Sequence, residues 1–457
     1  MRIILAIFLC KLARRILRIT GRGGTHLPGV LALKVCPNLL ASLAEQVRST
    51  VITGTNGKTT SARMLEETLQ ASGLAVFSNR SGANLVTGIT AEFAANATWR
   101  GKMRLPDAVI ECDEAQFRLI ARVLDAKVIL VTNVFRDQLD RFGELAHTVS
   151  RIRDGIAASP NATVCINADC ALSVGMMEGF MNPVCYFGVE TPLYNGEDAK
   201  GDDMGSEITR CTCGQEYAYE SRVFGHLGKY HCTTCGKGRP AAYVRVAEVI
   251  TRTADTTTIM VQIRDTQHEM TVNMPGAYNI YNAAGVIAAA ETMKVETSVI
   301  AAALAAFRGG FGRMEKLTIN GRTTRMILVK NPVGFSQVLR YLAGLNEPLA
   351  LAICLNDRMG DSKDISWIWD ADSGVLAQMG ERLTAVYASG IRADDLAVWL
   401  KYAGVAPMAI RVMPDYDKLL ETAGEADVPM YILPTYSAMI DLRDKLSKKY
   451  GAKYFWE

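Results

Sequence analysis

The stretch Val51-Ile-Thr-Gly-Thr-Asn-Gly-Lys-Thr-Thr60 decides the architecture of this chain. Its apolar first residues predict a buried strand, and the following run Ser61-Ala-Arg-Met-Leu-Glu-Glu-Thr-Leu69 has the spacing of a helix. A glycine-containing turn between a strand and a helix directs backbone N–H groups at an anion near the helix N-terminus. The stretch therefore predicts an α/β fold with a phosphate-binding loop at the end of one strand.

The residues of this loop suit the parts of a nucleotide triphosphate. Gly54 and Gly57 let the backbone turn, Lys58 supplies a positive charge for the β- and γ-phosphates, and the Thr59 hydroxyl can hold Mg²⁺. We expect ATP to contact the whole loop: Gly54, Thr55, Asn56, Gly57, Lys58, Thr59 and Thr60. The motif is shorter than G-x-x-x-x-G-K-[ST], so a plain glycine turn is the simpler alternative. The intact Gly-Lys-Thr between strand and helix favours the phosphate site.

Length and composition are ordinary for a soluble globular protein with more than one domain. The chain has 457 residues, of which 49% are hydrophobic and 21% charged, enough for two or three domains. A net charge of +3 without a long basic stripe argues against a dedicated nucleic-acid-binding protein. The eleven cysteines are mostly scattered, which favours free thiols and a metal site over a disulfide framework.

The N-terminal residues 1–10 are apolar, and four basic residues follow them, namely Lys11, Arg14, Arg15 and Arg18. The run is too short to span a bilayer, and no small-residue cleavage site follows it. Its pattern predicts a helix whose apolar face contains Ile3, Ile4, Ile7, Phe8, Leu12 and Ile16. Two interpretations stay open: a helix packed on the first domain, or a basic amphipathic helix on the inner membrane surface.

Short apolar runs alternate with amphipathic runs, as expected for parallel α/β architecture. The strands are predicted at residues 108–110, 128–131, 163–166, 184–187, 326–329, 349–355, 385–388 and 430–433. Residues 243–274 alternate like antiparallel strands, and an Ala-rich helical segment covers 279–307. We expect an ATP-binding domain over residues 1–312, with an insertion at 205–240, and a smaller C-terminal α/β domain over 313–457.

The insertion carries two cysteine pairs that predict a metal site. Cys211 and Cys213 form the first pair, and Cys232 and Cys235 follow after eighteen intervening residues. Four thiolates on tight turns can hold Zn²⁺ tetrahedrally, and a closed set of four indicates a structural zinc ribbon. The first pair has an unusually short spacing, so His226 or His231 remains an alternative ligand.

Polar residues also follow two further predicted strands. Glu111 and Glu114 come after the strand at 108–110, and Asn133 comes after the strand at 128–131. In parallel α/β sheets, ligands bind beside such strand ends. Either carboxylate could hold Mg²⁺, and we assign Glu111 to it together with Thr59. Asn133 could hydrogen-bond a purine edge.

Four ordered motifs within residues 20–330 resemble those of the Mur ligases, which form peptide bonds in peptidoglycan precursors through an ATP-derived acyl phosphate. They are the phosphate loop, Thr132-Asn-Val-Phe-Arg-Asp-Gln-Leu-Asp140, Tyr278-Asn-Ile-Tyr-Asn282 and Phe311-Gly-Arg-Met-Glu315. The resemblance implies a Mur-ligase-like central ATPase domain with ATP and Mg²⁺ as cofactors. It also implies that Asn279 and Asn282 approach the adenine and that Arg313 reaches the nucleotide.

The chain departs from the Mur ligase pattern in two places. Gln138 stands where Mur ligases usually have a histidine, so a metal or phosphate contact is not expected from that position. Only about fifty residues precede the phosphate loop, so we expect the N-terminal UDP-substrate domain of Mur ligases to be absent.

Other segments narrow the resemblance to the Mur-ligase-like subunits of lipid II isoglutaminyl synthase, over nearly the whole chain. They are the zinc insertion, residues 21–29, Lys330-Asn-Pro-Val-Gly334, residues 356–370, Ser389-Gly-Ile-Arg392 and Leu433-Pro-Thr-Tyr436. The resemblance implies amidation of the D-glutamate α-carboxyl of the lipid II stem peptide, giving D-isoglutamine. Ammonia would come from a heterodimeric partner, a class I glutamine amidotransferase subunit of the GatD type. We expect a cytoplasmic protein that acts on lipid II at the membrane surface.

The segment 356–370 clusters acidic residues after a predicted strand, namely Asp357, Asp361, Asp364 and Asp370. One interpretation is a solvated turn in which Asp364 caps the backbone at Ser366. The resemblance implies an aspartate here that is essential for amidation, and we favour Asp364, with Asp361 second. Two other functions stay open: a Mur or folylpolyglutamate-type ligase that adds an amino acid, and a non-catalytic zinc-ribbon binding module.

Overall fold

The computed structural model describes residues 1–19, 26–79, 83–135, 145–193, 210–310, 312–358 and 360–452. These residues form a nine-stranded sheet, a six-stranded sheet and a separate two-stranded hairpin. Helices cover both large sheets, and most pairs of neighbouring strands are parallel. The predicted α/β fold class is confirmed.

The first part of the chain supplies eleven strands. They are β1 (Arg48–Thr53), β2 (Val76–Ser78), β3 (Asp107–Glu111), β4 (Val128–Val131), β5 (Thr163–Asn167), β6 (Val184–Val189), β7 (Ala218–Phe224), β8 (Leu227–His231), β9 (Val244–Arg252), β10 (Thr257–Ile263) and β11 (Thr266–Val272). The large sheet has the order β11-β10-β9-β6-β5-β4-β1-β3-β2, and β7 pairs only with β8. Between β9 and β2 in this order, every strand is parallel to its neighbours in the sheet, while β10 and β11 add an antiparallel edge. Strands such as β4 are buried along their whole length, which explains their continuous apolar sequence.

Among the described residues, ten helices accompany the first sheet. They are α1 (Arg2–Ile19), α2 (His26–Val35), α3 (Leu39–Ala44), α4 (Lys58–Ala71), α5 (Val86–Asn96), α6 (Glu114–Leu124), α7 (Leu145–Ala157), α8 (Ala171–Gly175), α9 (Ala277–Thr292) and α10 (Thr297–Ala306). The predicted Ala-rich helix is thus two helices, because Lys294 turns the chain with a φ of 62°. Small side chains on α9 let it pack closely on the sheet, where Gly285 faces Leu130 and Phe187.

The six-stranded sheet follows. It contains β12 (Glu315–Ile319), β13 (Arg322–Met326), β14 (Leu349–Cys354), β15 (Leu383–Ser389), β16 (Ile410–Val412) and β17 (Met430–Pro434). The order is β12-β13-β17-β14-β15-β16, with only the β12–β13 pair antiparallel. The helices are α11 (Pro332–Ala343), α12 (Gly374–Met379), α13 (Ala393–Tyr402), α14 (Tyr416–Glu425) and α15 (Tyr436–Tyr450), with 3₁₀ turns at Ser366–Asp370, Gly380–Arg382 and Pro407–Ala409.

The strand predicted at 326–329 lies earlier, at β13, and is more polar than expected. A turn through Asn320 and Gly321, both with positive φ, pairs β13 with β12. Buried Arg325 on β13 forms an ion pair with Asp255 beside the first sheet, at 2.6 Å. Because buried Arg325 is paired with a residue distant in sequence, hydrophobic periodicity does not reveal this strand.

Helix α1 packs on the first domain with one side and exposes most of the residues predicted to form its apolar face. Its buried residues are Ala6, Ile7 and Cys10, and Arg14 is paired with Glu92 of α5 at 2.7 Å. Of the six residues predicted to share one apolar face, Ile7 is buried, whereas Ile4, Phe8, Leu12 and Ile16 are exposed. Ala6, Ile7 and Cys10 therefore anchor α1, and most of its large apolar side chains lie outside. Among the residues that the structure describes, no helix is long and apolar enough to cross a membrane.

Candidate functional site

The phosphate loop connects the end of β1 to the start of α4. Gly54 and Gly57 have φ values of 120° and 84°, in the region that favours glycine. A Cβ atom on Gly57 would lie 2.0 Å from Oδ1 of Asn282, so no side chain fits there. The loop therefore has the strand–turn–helix geometry that was predicted, with α4 beginning at Lys58.

Lys58 is buried at the base of the loop and is already paired. Its Nζ donates to the carbonyl oxygens of Gly54 and Thr55, at 2.5 and 3.2 Å, and lies 3.1 Å from both carboxylate oxygens of Glu114. Burial raises the pKa of Glu114, while the charge of Lys58 opposes that shift. Phosphate oxygens arriving at the loop must therefore compete with Glu114 for this ammonium group.

The two predicted magnesium ligands lie together. The Thr59 hydroxyl donates to Glu111 Oε1 at 3.0 Å, beside the loop. Glu111 is the last residue of β3, and the side-chain amide of Asn79 fixes its backbone through bonds of 2.7 and 2.8 Å. A hydroxyl and a carboxylate are the oxygen ligands that Mg²⁺ prefers, so this pair fits the ion. Asn79 had no assigned role in the sequence, since it lies far from the motif.

Two asparagines, Asn133 and Asn331, hold the tip of the loop at Asn56. Asn133 accepts from the backbone N–H of Asn56 at 3.0 Å and donates to its carbonyl oxygen at 3.1 Å. Asn331 donates to the Asn56 side-chain oxygen at 2.9 Å. Asn133 thus positions the phosphate loop, and its contact with a purine stays a prediction. Asn331, which precedes α11 and caps it through Gly334, links the loop to the second sheet.

A cleft between the two sheets opens beside the loop and encloses about 810 Å³, including space open to solvent. The loop contributes Asn56, Gly57 and Thr60 to the lining, and the segment after β13 contributes Lys330 and Asn331. Both sheets therefore contribute polar groups to one cavity, as expected of a nucleotide site at the carboxyl ends of parallel strands.

The residues implied for the nucleotide base and the domain junction differ in their access to the cleft. Asn282 and Arg313 line it. Asn279 is fully buried, donates to the carbonyl oxygen of Pro275 at 2.6 Å and accepts from Asn282 at 3.1 Å. It therefore supports Asn282 from behind the cleft wall. Burial lowers the pKa of Arg313, while the negative charge of Glu111 opposes that shift. The Arg313 guanidinium is therefore close enough to interact electrostatically with one of the predicted magnesium ligands.

The tip of the β7–β8 hairpin forms part of the same wall. Phe224 and Leu227 line the cleft, and the Phe224 ring stacks on Phe135 with centroids 5.5 Å apart. Between them, His226 is buried and contacts Phe135 and the Cys170 thiol, at 4.6 and 3.3 Å. Burial lowers the pKa of His226 to about 4. The sequence did not predict this contribution, because hairpin and loop are far apart along the chain.

At the other end of the hairpin, the four predicted zinc ligands meet. The Sγ atoms of Cys211 and Cys235 are 3.4 Å apart, those of Cys213 and Cys232 are 3.5 Å apart, and all four lie within 4.8 Å of one another. Thiolates bound to a tetrahedral zinc ion are about 3.8 Å apart, so the four thiols fit zinc. A hydrogen bond from the Cys213 backbone lowers the pKa of Cys211 to about 6.

Neither histidine proposed as an alternative ligand belongs to this cluster. His226 lies at the hairpin tip against Cys170, and the nearest acidic contact of His231 is Glu220 at 3.9 Å. The described residues therefore offer four cysteines as the ligand set.

A buried ion pair ties the hairpin region to the cleft. Arg239 donates to Asp169 at 2.5 Å, and Asp169 also accepts from the Tyr281 hydroxyl at 2.8 Å. Burial raises the pKa of Asp169, and Arg239 opposes that shift. Tyr281 belongs to α9 and lines the cleft, so the ribbon and the cleft wall share one hydrogen-bonded network.

The two predicted catalytic aspartates have contrasting surroundings. Asp361 is 2% exposed and accepts hydrogen bonds from the backbone and hydroxyl of Ser437, at the start of α15. Asp364 is exposed, and its Oδ1 accepts from the backbone N–H of Ser366 at 2.8 Å. Hydrogen bonds from the Ser366 hydroxyl and then from its backbone N–H lower the pKa of Asp364. The capping contact expected for Asp364 is thus present, and the catalytic role of either residue stays a prediction.

The loop at 356–370 also contains a polar hub that the sequence did not single out. Buried Asn356 donates to Ser437, and its Oδ1 accepts from the backbone of Ile391 and from Tyr416. Several strand ends of the second sheet are joined in this way. Gln138, the rest of the motif at 136–140, Phe311 and most of residues 21–29 lie outside the described residues.

Comparison with known proteins agrees with this geometry. The family model for the Mur ligase middle domain matches residues 52–231, and that for the MurT ligase C-terminal region matches residues 328–439. The chain is 33% identical over 431 residues to the lipid II isoglutaminyl synthase (glutamine-hydrolyzing) subunit MurT of Streptococcus pneumoniae, covering 94% of this chain and 93% of the relative. The chain belongs to the MurT family.

Other relatives support the MurT assignment. The protein of the same name from Staphylococcus aureus is 30% identical over 449 residues, or 97% of this chain and 98% of the relative. Among solved structures, a pseudomurein peptide ligase type C from Methanothermus fervidus aligns with a TM-score of 0.65 at 20% identity, over 89% of this chain and 79% of that one. MurF from Acinetobacter baumannii aligns with a TM-score of 0.65 at 16% identity, over 92% and 80%. These two structures show a shared fold.

Membership of the MurT family fixes the general chemistry. The chain is a ligase of the Mur type, an ATP-dependent class that uses Mg²⁺. Both MurT relatives are named as subunits of a larger enzyme.

Proposed function

We propose that this chain is the synthase subunit of a lipid II isoglutaminyl synthase, converting the α-carboxyl of D-glutamate in the stem peptide to the amide of D-isoglutamine. The observation that carries the proposal is full-length similarity to two subunits of that name. The cleft between the two sheets supports it, since it joins a phosphate loop to residues of the MurT-specific C-terminal region.

The residues of the loop would activate the carboxylate with ATP. Lys58 would leave Glu114 and contact the β- and γ-phosphates, while Thr59 and Glu111 would hold Mg²⁺. The ion, when bound, supplies positive charge to the transferring phosphoryl group. Attack of the substrate carboxylate on the γ-phosphorus would release ADP and form an acyl phosphate. Asn133 and Asn331, through their bonds to Asn56, would keep the loop in one geometry.

Ammonia would then displace phosphate from the acyl group. We assign its supply to a class I glutamine amidotransferase subunit of the GatD type, bound as a heterodimer. Among the described residues, the two exposed cysteines, Cys213 and Cys235, belong to the ribbon cluster, so neither is placed to serve as a glutaminase nucleophile. Buried Cys170 contacts His226, but burial raises the pKa of the thiol and lowers that of the imidazole, which keeps both neutral.

The carboxylate that serves the ammonia step would come from the loop at 356–370. Asp364 is exposed at the end of a parallel strand of the second sheet, the sheet that also supplies Asn331 to the cleft. It could orient ammonia or complete the glutaminase site of the partner across the interface. The reaction would take place in the cytoplasm, at the inner membrane face where lipid II is exposed.

The proposal is tested by co-purifying this chain with a GatD-type subunit and supplying lipid II, ATP, Mg²⁺ and glutamine. We expect amide formation on the D-glutamate and release of one phosphate per amide. The chain alone should perform the reaction with free ammonia and not with glutamine. Incorporation of an amino acid in place of ammonia would overturn the proposal and favour a peptide ligase.

A further inference from the structure

Helix α1 has a second apolar side that the fold does not use. Its inner side packs on the domain through Ala6, Ile7 and Cys10. Its outer side carries large apolar residues that are 42 to 77% exposed: Leu5, Phe8, Leu12, Ile16 and Ile19. They recur every three or four residues and therefore form one stripe along the helix. A soluble surface rarely exposes an apolar stripe of this length.

Neighbouring elements extend the apolar surface. Helix α2, which packs against α1, exposes Leu27 and Leu31 by 51 and 36%. Trp99 is 51% exposed, and its ring lies 6.0 Å from that of Phe8. We call the outer stripe of α1, together with these three residues, the outer patch. Within the described structure these side chains stay 36 to 77% exposed.

Charge is distributed unevenly around this patch. Residues 1–44 contain seven Lys and Arg and no Asp or Glu, giving +7, whereas residues 45–457 contain 43 basic and 47 acidic residues, giving −4. Arg14 is paired with Glu92, and Lys11 donates to the Ala97 carbonyl oxygen. Arg2, Arg15 and Arg18 are exposed on α1 itself. A cationic segment on an otherwise acidic chain indicates an anionic binding partner.

We propose that the outer patch docks this protein on the surface of an anionic lipid bilayer, with α1 lying in the plane of the membrane. An apolar stripe with Phe and Trp, flanked by arginines and free of acidic residues, has the composition of an interfacial helix. A protein partner would need hydrogen-bonding groups of its own at a rim of mixed charge, whereas lipid headgroups offer a continuous anionic surface.

The contacts between α1 and the first domain determine how membrane docking affects the rest of the molecule. Because Arg14 is bonded to α5 and the inner side of α1 is buried, the helix binds lipid as part of the folded domain. The inference rests on this surface and not on the identity of the substrate, so its failure would leave the amidation proposal intact.

Sedimentation of the full chain with vesicles tests the inference. The protein should co-sediment with vesicles of phosphatidylcholine containing 30% phosphatidylglycerol. A much smaller fraction should co-sediment with vesicles of pure phosphatidylcholine. Phe8→Glu with Leu12→Glu should weaken retention more than about 10-fold, because two apolar anchors become anionic. Arg15→Gln with Arg18→Gln should weaken it about 30-fold, from the loss of two charges near the surface.

A matched control is Met408→Glu, which introduces charge at a residue that is 96% exposed far along the chain. It should bind vesicles like the wild type, and all variants should keep the wild-type melting temperature. Equal vesicle binding by Phe8→Glu/Leu12→Glu would overturn the proposal. A wild-type chain that ignores anionic vesicles but dimerises through this patch in sedimentation velocity would also overturn it, in favour of a second copy as the occupant.

Discussion

The phosphate loop and the acidic loop at 356–370 both follow parallel strands, yet they organise their polar groups in opposite ways. In the phosphate loop, Lys58 and Thr59 are each paired with a carboxylate, so the groups that would meet ATP already hold one another. In the acidic loop, Asp361 is buried under α15 while Asp364 is exposed and capped onto its own turn. The phosphate loop is thus recognisable from its internal contacts, whereas the acidic loop leaves one carboxylate facing solvent, as our proposal that a partner completes it requires.

The largest expected effect tests the acidic loop. Asp364→Asn keeps the size of the side chain and can still cap Ser366, so the loop should stay folded. If the carboxylate serves the ammonia step, glutamine-dependent amidation should fall roughly 10²- to 10⁴-fold, with ATP affinity nearly unchanged. Asp370→Asn, at another exposed aspartate of the same segment, is the matched control and should keep its activity.

Free ammonia then separates the two possible roles of Asp364. Restored activity would place its function in glutamine hydrolysis by the partner, whereas no restoration would place it at the acyl phosphate. Full activity of Asp364→Asn with glutamine would return the loop to its alternative interpretation as a solvated, capped turn.

Lys58→Ala tests the phosphate loop and should lower amidation on the order of 10²-fold or more, since the lost charge acts on the transferring phosphate. The substitution also leaves buried Glu114 without its Lys58 partner, so the melting temperature should fall. Adding Glu114→Gln removes that unpaired charge and should recover part of the stability without recovering activity. Near-normal turnover in the double variant, measured as phosphate release, would be incompatible with a phosphate-binding role for Lys58.

Zinc removal tests whether the folded zinc ribbon supports the nucleotide cleft beside the phosphate loop. The purified chain should carry about one zinc per molecule, and Cys232→Ser should lose it and lower the melting temperature, because structural zinc contributes to folding free energy. Since Phe224 and Leu227 line the cleft, the Kd for a non-hydrolysable ATP analogue should rise about 10-fold.

Phe224→Ala is the matched variant for that measurement. It should retain zinc and show a similar loss of nucleotide affinity by calorimetry, because it removes the cleft contact alone. An unchanged Kd after zinc removal, with the melting temperature also unchanged, would show that the ribbon folds and acts independently of the cleft.

The smallest effect is expected at Asp361. Asp361→Asn removes a charge-assisted hydrogen bond to Ser437 and should lower the free energy of unfolding by about 1–2 kcal/mol, with little change in turnover. Denaturant titration and an amidation assay measure the two quantities. The opposite pattern, unchanged stability with lost amidation, would move the catalytic assignment from Asp364 to Asp361.

Sequence reasoning predicted the elements whose signal is local. The strand–glycine–helix run around Lys58, the buried strands and the cysteine pairs are all short-range patterns, and the structure contains each of them except the strand expected at 326–329. What it could not predict depends on long-range packing. Asn331 meets Asn56 across 275 residues, and Phe224 reaches the cleft from the tip of a hairpin.

Ranking the acidic residues also required the fold. The sequence places Asp361 and Asp364 in one acidic segment but does not show which of them is buried. Burial depends on α15, which packs over Asp361 and leaves Asp364 exposed. For α1, apolar residues on two sides of one helix left the choice of the packed face to its neighbours. In both cases the deciding contacts come from elements distant in sequence.

Gly57 has a consequence for the durability of inhibitors aimed at this enzyme. Its backbone conformation excludes L side chains, and Asn282 occupies the space where a side chain would begin. Drug resistance commonly arises when a single substitution reshapes the contact surface of a compound. A compound that rests on the Gly57 backbone would face a surface that one substitution cannot reshape without also distorting the loop that the enzyme needs.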